Sequence, residues 1–178
     1  MFNLADVVDG LNLQMLIYLY TVIRGENEYL NSKIPAGILY MPSKRDFGDP
    51  KSLSMNGLIL LDEEVISAMD KEGVGEYIPQ KPFKADGSLK SRVTSYAESA
   101  LFKETFDYIE LLVKRMGNAV LGGDFAADPT DGVDSDACKY CDFSSICCFE
   151  EKEHKCSDKN LNSAQVLKLL KEANEGGI

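Results

Sequence analysis

Cys138-Lys139-Tyr140-Cys141-Asp142-Phe143-Ser144-Ser145-Ile146-Cys147-Cys148 is the stretch on which the reading of this chain turns. It holds four of the five cysteines, three of them at C-x2-C-x5-C spacing. Cysteines recruited for packing are usually scattered, one per core position. Two thiols three apart on a tight turn can instead bind one ion or one cluster together, and a third, six residues on, can close over it. The stretch therefore reads as three ligands of a four-thiolate site, whose fourth ligand the rest of the chain must supply or lack.

The chain of 178 residues is long enough for one domain with a real core and short for two. No apolar run approaches the roughly 20 residues that cross a membrane. Met1 is followed by Phe-Asn-Leu-Ala-Asp, with no basic region ahead of an apolar segment, so no secretory signal is expected. The expected location is the cytoplasm, where clustered thiols more often mean metal or redox chemistry than disulfides. A net charge of −10 and a pI near 4.6 argue against independent nucleic-acid binding, because phosphate contact dominates non-specific affinity. DNA would be met through a local patch or beside a partner that supplies positive charge. Acidity that only keeps the protein soluble is the plainer reading.

Upstream of the cysteines lies an acidic loop, 124–136. Before that, Ser95-Tyr96-Ala97-Glu98 matches a capping box and predicts a long helix to about Leu121, ended by Gly122-Gly123. Leu101, Phe102, Phe106, Ile109, Leu112, Val113, Met116 and Val120 recur at helical spacing and read as its core face. Residues 78–90 contain Asp86-Gly87, a hairpin-turn pair, beside Lys81, Lys84, Lys90 and Arg92, the densest positive patch. Residues 35–41 and 57–61 read as short buried strands, with a polar loop between them. Asp62 is placed to cap a helix over 63–72, whose acidic first turn suits the helix dipole. Residues 1–10 read as a loop. Residues 11–24 read as a helix buried on most faces, capped by Asp9 and followed by Gly25. Gln14 and Tyr18, four apart, share one face of it. A buried Gln needs partners, since an unpaired amide costs roughly 1–3 kcal/mol, so Gln14 is either a structural bridge or part of a site. Beyond Phe149 come a charged linker and an amphipathic helix over 163–174. The tail after 150 reads as mobile or docked onto a partner.

No phosphate-binding G-x-x-x-x-G-K-[ST] loop is present, so nothing suggests ATP binding by this chain. The single histidine, His154, sits among charges, and no nucleophile system can be built from it. Asp49-Pro50-Lys51 and Glu153-His154-Lys155 both spell acid-x-Lys. Metal-dependent phosphodiester cleavage needs its carboxylates on a rigid strand. One pair lies in a Pro/Gly loop and the other in the charged linker, and with 29 acids and 19 bases such matches arise by chance.

The Gln14-x-x-x-Tyr18 helix and the later C-x2-C-x5-C cluster, in that order, resemble the C-terminal end of RecB-type nuclease domains of the PD-(D/E)xK superfamily. The resemblance is greatest to the B subunits of helicase–nucleases of the AddAB/RexAB type. It rests on Gly10-Leu-Asn-Leu-Gln14-Met-Leu-Ile-Tyr18-Leu, Pro35-Ala-Gly-Ile-Leu-Tyr40, Met55-Asn-Gly-Leu-Ile-Leu-Leu-Asp62, the Lys-Ala-Asp-Gly-Ser hairpin, the long helix and the terminal cysteines, over roughly residues 2–150. It implies a mixed α/β chain, a partial RecB-like PD-(D/E)xK nuclease fold lacking its N-terminal catalytic strands. The divisions expected are a partial nuclease domain (1–137), a cysteine segment (138–150), and a charged linker with a short helix (151–178). In that family the catalytic acids and lysine lie on strands just before the Gln/Tyr helix, and a fourth cluster cysteine lies farther upstream. Here Met1 is only thirteen residues ahead of Gln14. The expectation is an excised C-terminal piece that by itself cleaves nothing.

Residue by residue, the resemblance makes Cys138, Cys141 and Cys147 ligands of a 4Fe-4S cluster. It makes Gln14 and Tyr18 residues that help position the catalytic lysine and the DNA backbone. It implies Mg2+-dependent exonucleolytic cleavage of DNA ends in double-strand break repair, beside an A-type helicase–nuclease subunit. In this chain, one ligand short, neither cluster nor Mg2+ is expected to be held. Cys148 and Cys156 have no counterpart in the family. Each reads as an incidental thiol or a substitute fourth ligand, although adjacent Cys147 and Cys148 cannot easily face one centre. A CRISPR-associated RecB-like exonuclease and a zinc-binding interaction module are the alternatives. Exposed edges and apolar faces around residues 11–24 would favour a homo-oligomer.

Overall fold

The computed structural model describes residues 2–31, 33–41, 55–70, 78, 83–84, 86–87, 95–147, 149, 155–156 and 161–176. They form two compact units, one of Gln14–Phe106 with Phe2, the other of Asn3–Leu13 with Asp107–Ile178.

The first unit is built on Leu58-Ile59-Leu60, an apolar run with no polar face. These residues lie in β2 (Asn56–Leu60), which is buried from Gly57 onward because it is the middle strand of three. β1 (Gly37–Tyr40) pairs with it antiparallel, Gly37 opposite Ile59 and Tyr40 opposite Asn56. β3 (Tyr96–Ala97) pairs with it in parallel, Ile59 opposite Tyr96. Two glycines allow the close β1–β2 approach. A Cβ on Gly57 would run into the Ile38 carbonyl oxygen, and one on Gly37, at φ +146°, into that of Leu58. Asp62 caps α4 (Glu63–Met69), its Oδ1 accepting from the backbone N–H of Glu64 and Val65 at 2.9 and 3.1 Å. Ile66 then packs with Ile59 and Tyr96. The strands and the Asp62 cap agree with the sequence. Gly87 closes a turn onto Lys84, its N–H donating to that carbonyl at 3.0 Å. Lys81, Lys90 and Arg92 lie outside the described residues, as do Asp49, Pro50 and Lys51.

The reading of residues 11–24 is corrected. The helix is α2 (Gln14–Arg24), and only Leu16 is buried. It packs against β1 and against α3 (Glu28–Asn31), and one small sheet covers only one stripe of a helix. Asp9 does not cap it. Residues 1–10, expected as a loop, contain α1 (Leu4–Val8), capped by Asn3, and Asp9 closes its C-terminal end. Asn12, at φ +55°, breaks the chain between the two helices.

The long helix is α5 (Ser99–Leu121). Ser95 does not cap it, because its carbonyl accepts from Ile59 N–H at 2.8 Å within the sheet and Tyr96–Ala97 are extended. Leu101 N–H bonds instead to the Glu98 carbonyl at 3.0 Å. Gly123, at φ +75°, ends the helix as expected. Of the predicted core face, Leu101, Phe102, Phe106 and Ile109 are buried, while Val113, Met116 and Val120 are exposed. The apolar period continues in the sequence past the part of the helix that is covered.

In the second unit α1 packs against α7 (Ser163–Gly176), with Leu4, Ala5, Val7, Val166 and Leu170 buried. The expectation of a mobile or partner-docked tail is thereby corrected for α7: its apolar face is spent within its own chain. Asn162 and Gln165 cap α7 reciprocally, each side-chain oxygen accepting from the other's backbone N–H at 2.9–3.0 Å. β4 (Thr130–Asp131) and β5 (Lys155–Cys156) pair in parallel, Thr130 opposite Lys155 and Asp131 opposite Cys156. Among the described residues no helix is long and apolar enough to cross a membrane.

Candidate functional site

Gln14 is the first residue of α2, and Tyr18 stands one turn on. The Gln14 Nε2 donates to the Tyr18 hydroxyl at 3.2 Å. The reading of Gln14 as buried is corrected: it is exposed, and so is Tyr18, at 55 %. A pair in solvent bridges no core, so it is not there for packing. The helix beneath it is anchored elsewhere. Tyr20 meets the edge of Phe106 at 5.9 Å between ring centroids, and the Arg24 guanidinium lies over the Tyr20 ring at 5.9 Å. That bond uses one N–H of the Gln14 amide; its carbonyl oxygen has the capacity to accept a further bond and the Tyr18 hydroxyl to donate one.

The cysteines belong to the second unit. A relay of carboxylates on backbone N–H groups shapes the turn that carries them. The buried Asp6 accepts from Asn12 Nδ2 at 2.6 Å and from Val133 N–H at 2.8 Å. Asp131 accepts from Ala137 N–H at 2.8 Å. Asp136 accepts from the N–H of Cys138 and of Lys139 at 2.9 and 3.0 Å. The Cys141 N–H donates to the Cys138 carbonyl at 3.1 Å and closes the turn. α6 (Ser144–Cys147) follows, with Cys147 as its last residue. Cys138 is half-buried, while Cys141, Cys147 and Cys156 are exposed, and none of the four is in a disulfide. Cys148 and His154 lie outside the described residues. Partial desolvation raises the Cys138 pKa, and the Cys141 thiol, Asp136, Asp131 and the Cys147 thiol raise it further. The Cys138 thiol thus lies within electrostatic reach of those of Cys141 and Cys147.

Among the described residues no three of His, Cys, Asp and Glu are close enough together to hold one metal ion. A tetrahedral zinc with bonds of about 2.3 Å would need its sulfurs within about 3.8 Å of each other. A polynuclear cluster binds each thiolate through a different iron, which spreads them farther apart. An all-thiolate donor set is of the chemical kind that zinc and iron–sulfur centres both take.

The second unit also has an open groove of about 350 Å3 between Val8, Tyr108, Leu112, Arg115, Thr130 and Lys155. Lys155 there is engaged by Asp128, so the acid-x-Lys spelling at 153–155 offers no free catalytic lysine. Tyr108 donates to the Val8 carbonyl at 2.5 Å. Burial, and then Asp9, push its pKa up, and Arg115 partly offsets this.

Sequence reasoning singled out Gln14 and Tyr18, which the fold places one turn apart on α2, and the three cysteines, which lie on one turn and on α6. It missed Asp6, Asp131 and Asp136, which it had dissolved into a loop and an acidic stretch. The signal available was an acid one or two residues ahead of a backbone that must turn, as in Asp136-Ala137-Cys138.

The sequence profile of the PD-(D/E)XK nuclease superfamily matches residues 2–148. Three proteins named as B subunits of an ATP-dependent helicase/deoxyribonuclease are similar to the chain. That of Desulforamulus reducens is 34 % identical over 83 % of this chain and 14 % of its own length. That of Clostridium novyi is 34 % identical over 98 % of this chain and 17 % of its own. That of Alkaliphilus metalliredigens is 30 % identical over 98 % of this chain and 17 % of its own. The chain thus spans 14 to 17 % of the length of these relatives.

Proposed function

The chain belongs to the PD-(D/E)XK nuclease superfamily, and from that premise we propose that it forms part of the DNA-cleaving domain in the B subunit of an ATP-dependent helicase–deoxyribonuclease. The observation that carries this reading is the exposed, hydrogen-bonded Gln14–Tyr18 pair on the first turns of α2. The unbonded N–H groups of a helix N-terminus favour phosphate, and Gln14 sits at that terminus. In this reading the carboxamide and the phenol, each fixing the other's orientation, hold the DNA backbone and steady a catalytic lysine. Mg2+, where bound by the family's carboxylates, activates water for attack on the phosphodiester. No strand among the described residues carries an acid-x-Lys pair, so no step through the metal is assigned to them. The turn at Cys138, Cys141 and Cys147 is read as the seat of an iron–sulfur cluster, supported by its all-thiolate donor set. A helicase-type partner subunit, a cytoplasmic setting and a role in double-strand break repair follow from the same reading. Exposed Val113, Met116 and Val120 support self-association of the isolated chain.

The test is a graft. Replacing the matching segment of the Clostridium novyi relative, the chain is expected to support Mg2+-dependent degradation of linear duplex DNA. Gln14→Ala and Tyr18→Phe should each lower that rate by roughly tenfold to a hundredfold with ATP hydrolysis unchanged. Variants that cleave as fast as the parent graft overturn the role of the pair. The chain alone should leave DNA intact, and Mg2+-dependent cleavage by it, abolished by a point change within it, refutes the assignment of the chemistry to residues outside it.

A further inference from the structure

We propose that Asp6 is a positioning residue for the Gln14–Tyr18 pair: its carboxylate pins Asn12, the residue at which the chain turns into α2, and ties that turn to the loop ahead of the cysteines. This rests on the reading of the pair as the group that holds DNA. The start of α2 has little packing of its own. Leu16 is the one buried residue of the helix, while Gln14, its first residue, and Tyr18 are exposed. Where the pair stands is therefore set by the backbone that enters the helix.

Asn12 is that entry. It lies two residues before Gln14 and holds φ +55°, a left-handed conformation that is costly for most side chains. Asn tolerates it because its short polar side chain can bond locally. Here Asn12 Nδ2 donates to Asp6 Oδ2 at 2.6 Å, and the Leu11 N–H donates to the Asp6 carbonyl at 2.8 Å. Asp6 thus holds two consecutive residues of the turn, one by its backbone and one by its side chain. Its other carboxylate oxygen accepts from the Val133 N–H at 2.8 Å, across 127 residues of sequence. Gly132 leaves room for this approach: a Cβ there would stand 3.2 Å from Asp6 Oδ2 and 3.3 Å from the Leu11 side chain. Asp6 is 2 % exposed, so both bonds form away from water, where a charged acceptor binds its donors most firmly. A carboxylate that only closed the loop at Val133 would need no bond to Asn12, and one that only closed the turn would need none to Val133. Asp6, Asn12 and Val133 all belong to the second unit, whose last residue before α2 is Leu13. The two bonds together fix the point from which α2 departs.

The test uses the Clostridium novyi graft and the 178-residue chain itself. In the graft, Asp6→Ala should lower the rate of linear duplex DNA degradation by roughly tenfold, with ATP hydrolysis unchanged. Asn12→Gly keeps the left-handed turn and the bond from Val133 to Asp6 but gives up its own bond to the carboxylate, and it should slow cleavage by roughly threefold to tenfold. Because Asp6 acts through Gln14, Asp6→Ala combined with Gln14→Ala should cleave no more slowly than Gln14→Ala alone. In the 178-residue chain, the side-chain amide resonances of Gln14 should shift in Asp6→Ala and in Asn12→Gly, although neither substitution touches Gln14, with circular dichroism matching the parent. If Asp6→Ala does not fold, Asn12→Gly and its combination with Gln14→Ala are read in the same way. Parent-rate cleavage in either single variant while Gln14→Ala is slow overturns the role of Asp6 and leaves that of the pair standing. Unchanged Gln14 resonances do the same, as do losses that multiply in the double variant, which make Asp6 a residue of the loop alone. A graft that cleaves no DNA, or that cleaves at the parent rate with Gln14→Ala, overturns the reading of the pair and this inference with it.

Discussion

Strand β2 buries Leu58, Ile59 and Leu60 between two neighbouring strands, whereas the cysteine turn leaves Tyr140, Phe143 and Ile146 in solvent. Both are short stretches held in one conformation, but by different forces. β2 is held by apolar burial and a two-sided ladder, which need no ligand. The cysteine turn has almost no apolar anchor and is held by Asp6, Asp131 and Asp136 on backbone N–H groups. A hydrogen bond of this kind contributes about 1 kcal/mol net, rising to about 1.5–3 where a charged group takes part. A turn built that way is fixed in shape yet open to solvent.

The contrast is sharpest if each region is damaged at its own support. Ile59→Ala removes a fully buried side chain packed on Ile66 and Tyr96. It should cost about 2–5 kcal/mol, read as a lower midpoint in urea denaturation, and a loss below about 1 kcal/mol would mean that β2 is not the centre of its unit. Asp6→Ala should cost less, about 2 kcal/mol. It strands the Val133 N–H and frees Asn12, and hydrogen exchange at Val133 should quicken markedly. If exchange at Val133 is unchanged, the carboxylate relay is not what holds the loop ahead of the cysteines.

The same contrast separates what was legible in the sequence from what was not. β1, β2 and the Asp62 cap were readable because a single local rule fixes each: an apolar run too short for a helix, or an acid before a helical stretch. The C-x2-C-x5-C motif and Gln14-x-x-x-Tyr18 stood out by spacing alone, which puts the first on one turn and α6 and the second on one face of α2. What failed was burial. Residues 14–24 and the second half of α5 are as apolar as a core helix, yet Tyr18, Val113, Met116 and Val120 face solvent. Periodicity states which face a helix would bury, and not whether anything is there to cover it. Ser95 failed for a related reason: a capping box and a strand end share the same residues, and the sheet took the Ser95 carbonyl. Parallel pairing of β4 with β5 joins residues 25 apart, Thr130 to Lys155, and two-residue strands leave no pattern to read.

The smallest expected effect lies in the tyrosines of the two units. Burial raises the pKa of Tyr40 and Tyr96 in the first unit and of Tyr108 in the second. A tyrosine whose folded pKa is raised favours its neutral form in the fold. Its contribution is fully present below the unfolded value of about 10 and is lost as pH rises through the folded value above it. Stability should therefore be flat towards pH 9 and fall beyond about 10. Tyr108→Phe keeps the ring and removes the titrating hydroxyl. It should lower stability at neutral pH by about 1 kcal/mol, through the lost bond to the Val8 carbonyl, while flattening part of the alkaline fall. The remainder should persist, because Tyr40 and Tyr96 are untouched. Urea midpoints at neutral and alkaline pH, with tyrosinate absorbance to follow ionisation, check both halves. An alkaline fall as steep in Tyr108→Phe as in the parent would place the whole effect in the sheet-bearing unit and leave the groove beside α5 indifferent to the charge on its tyrosine.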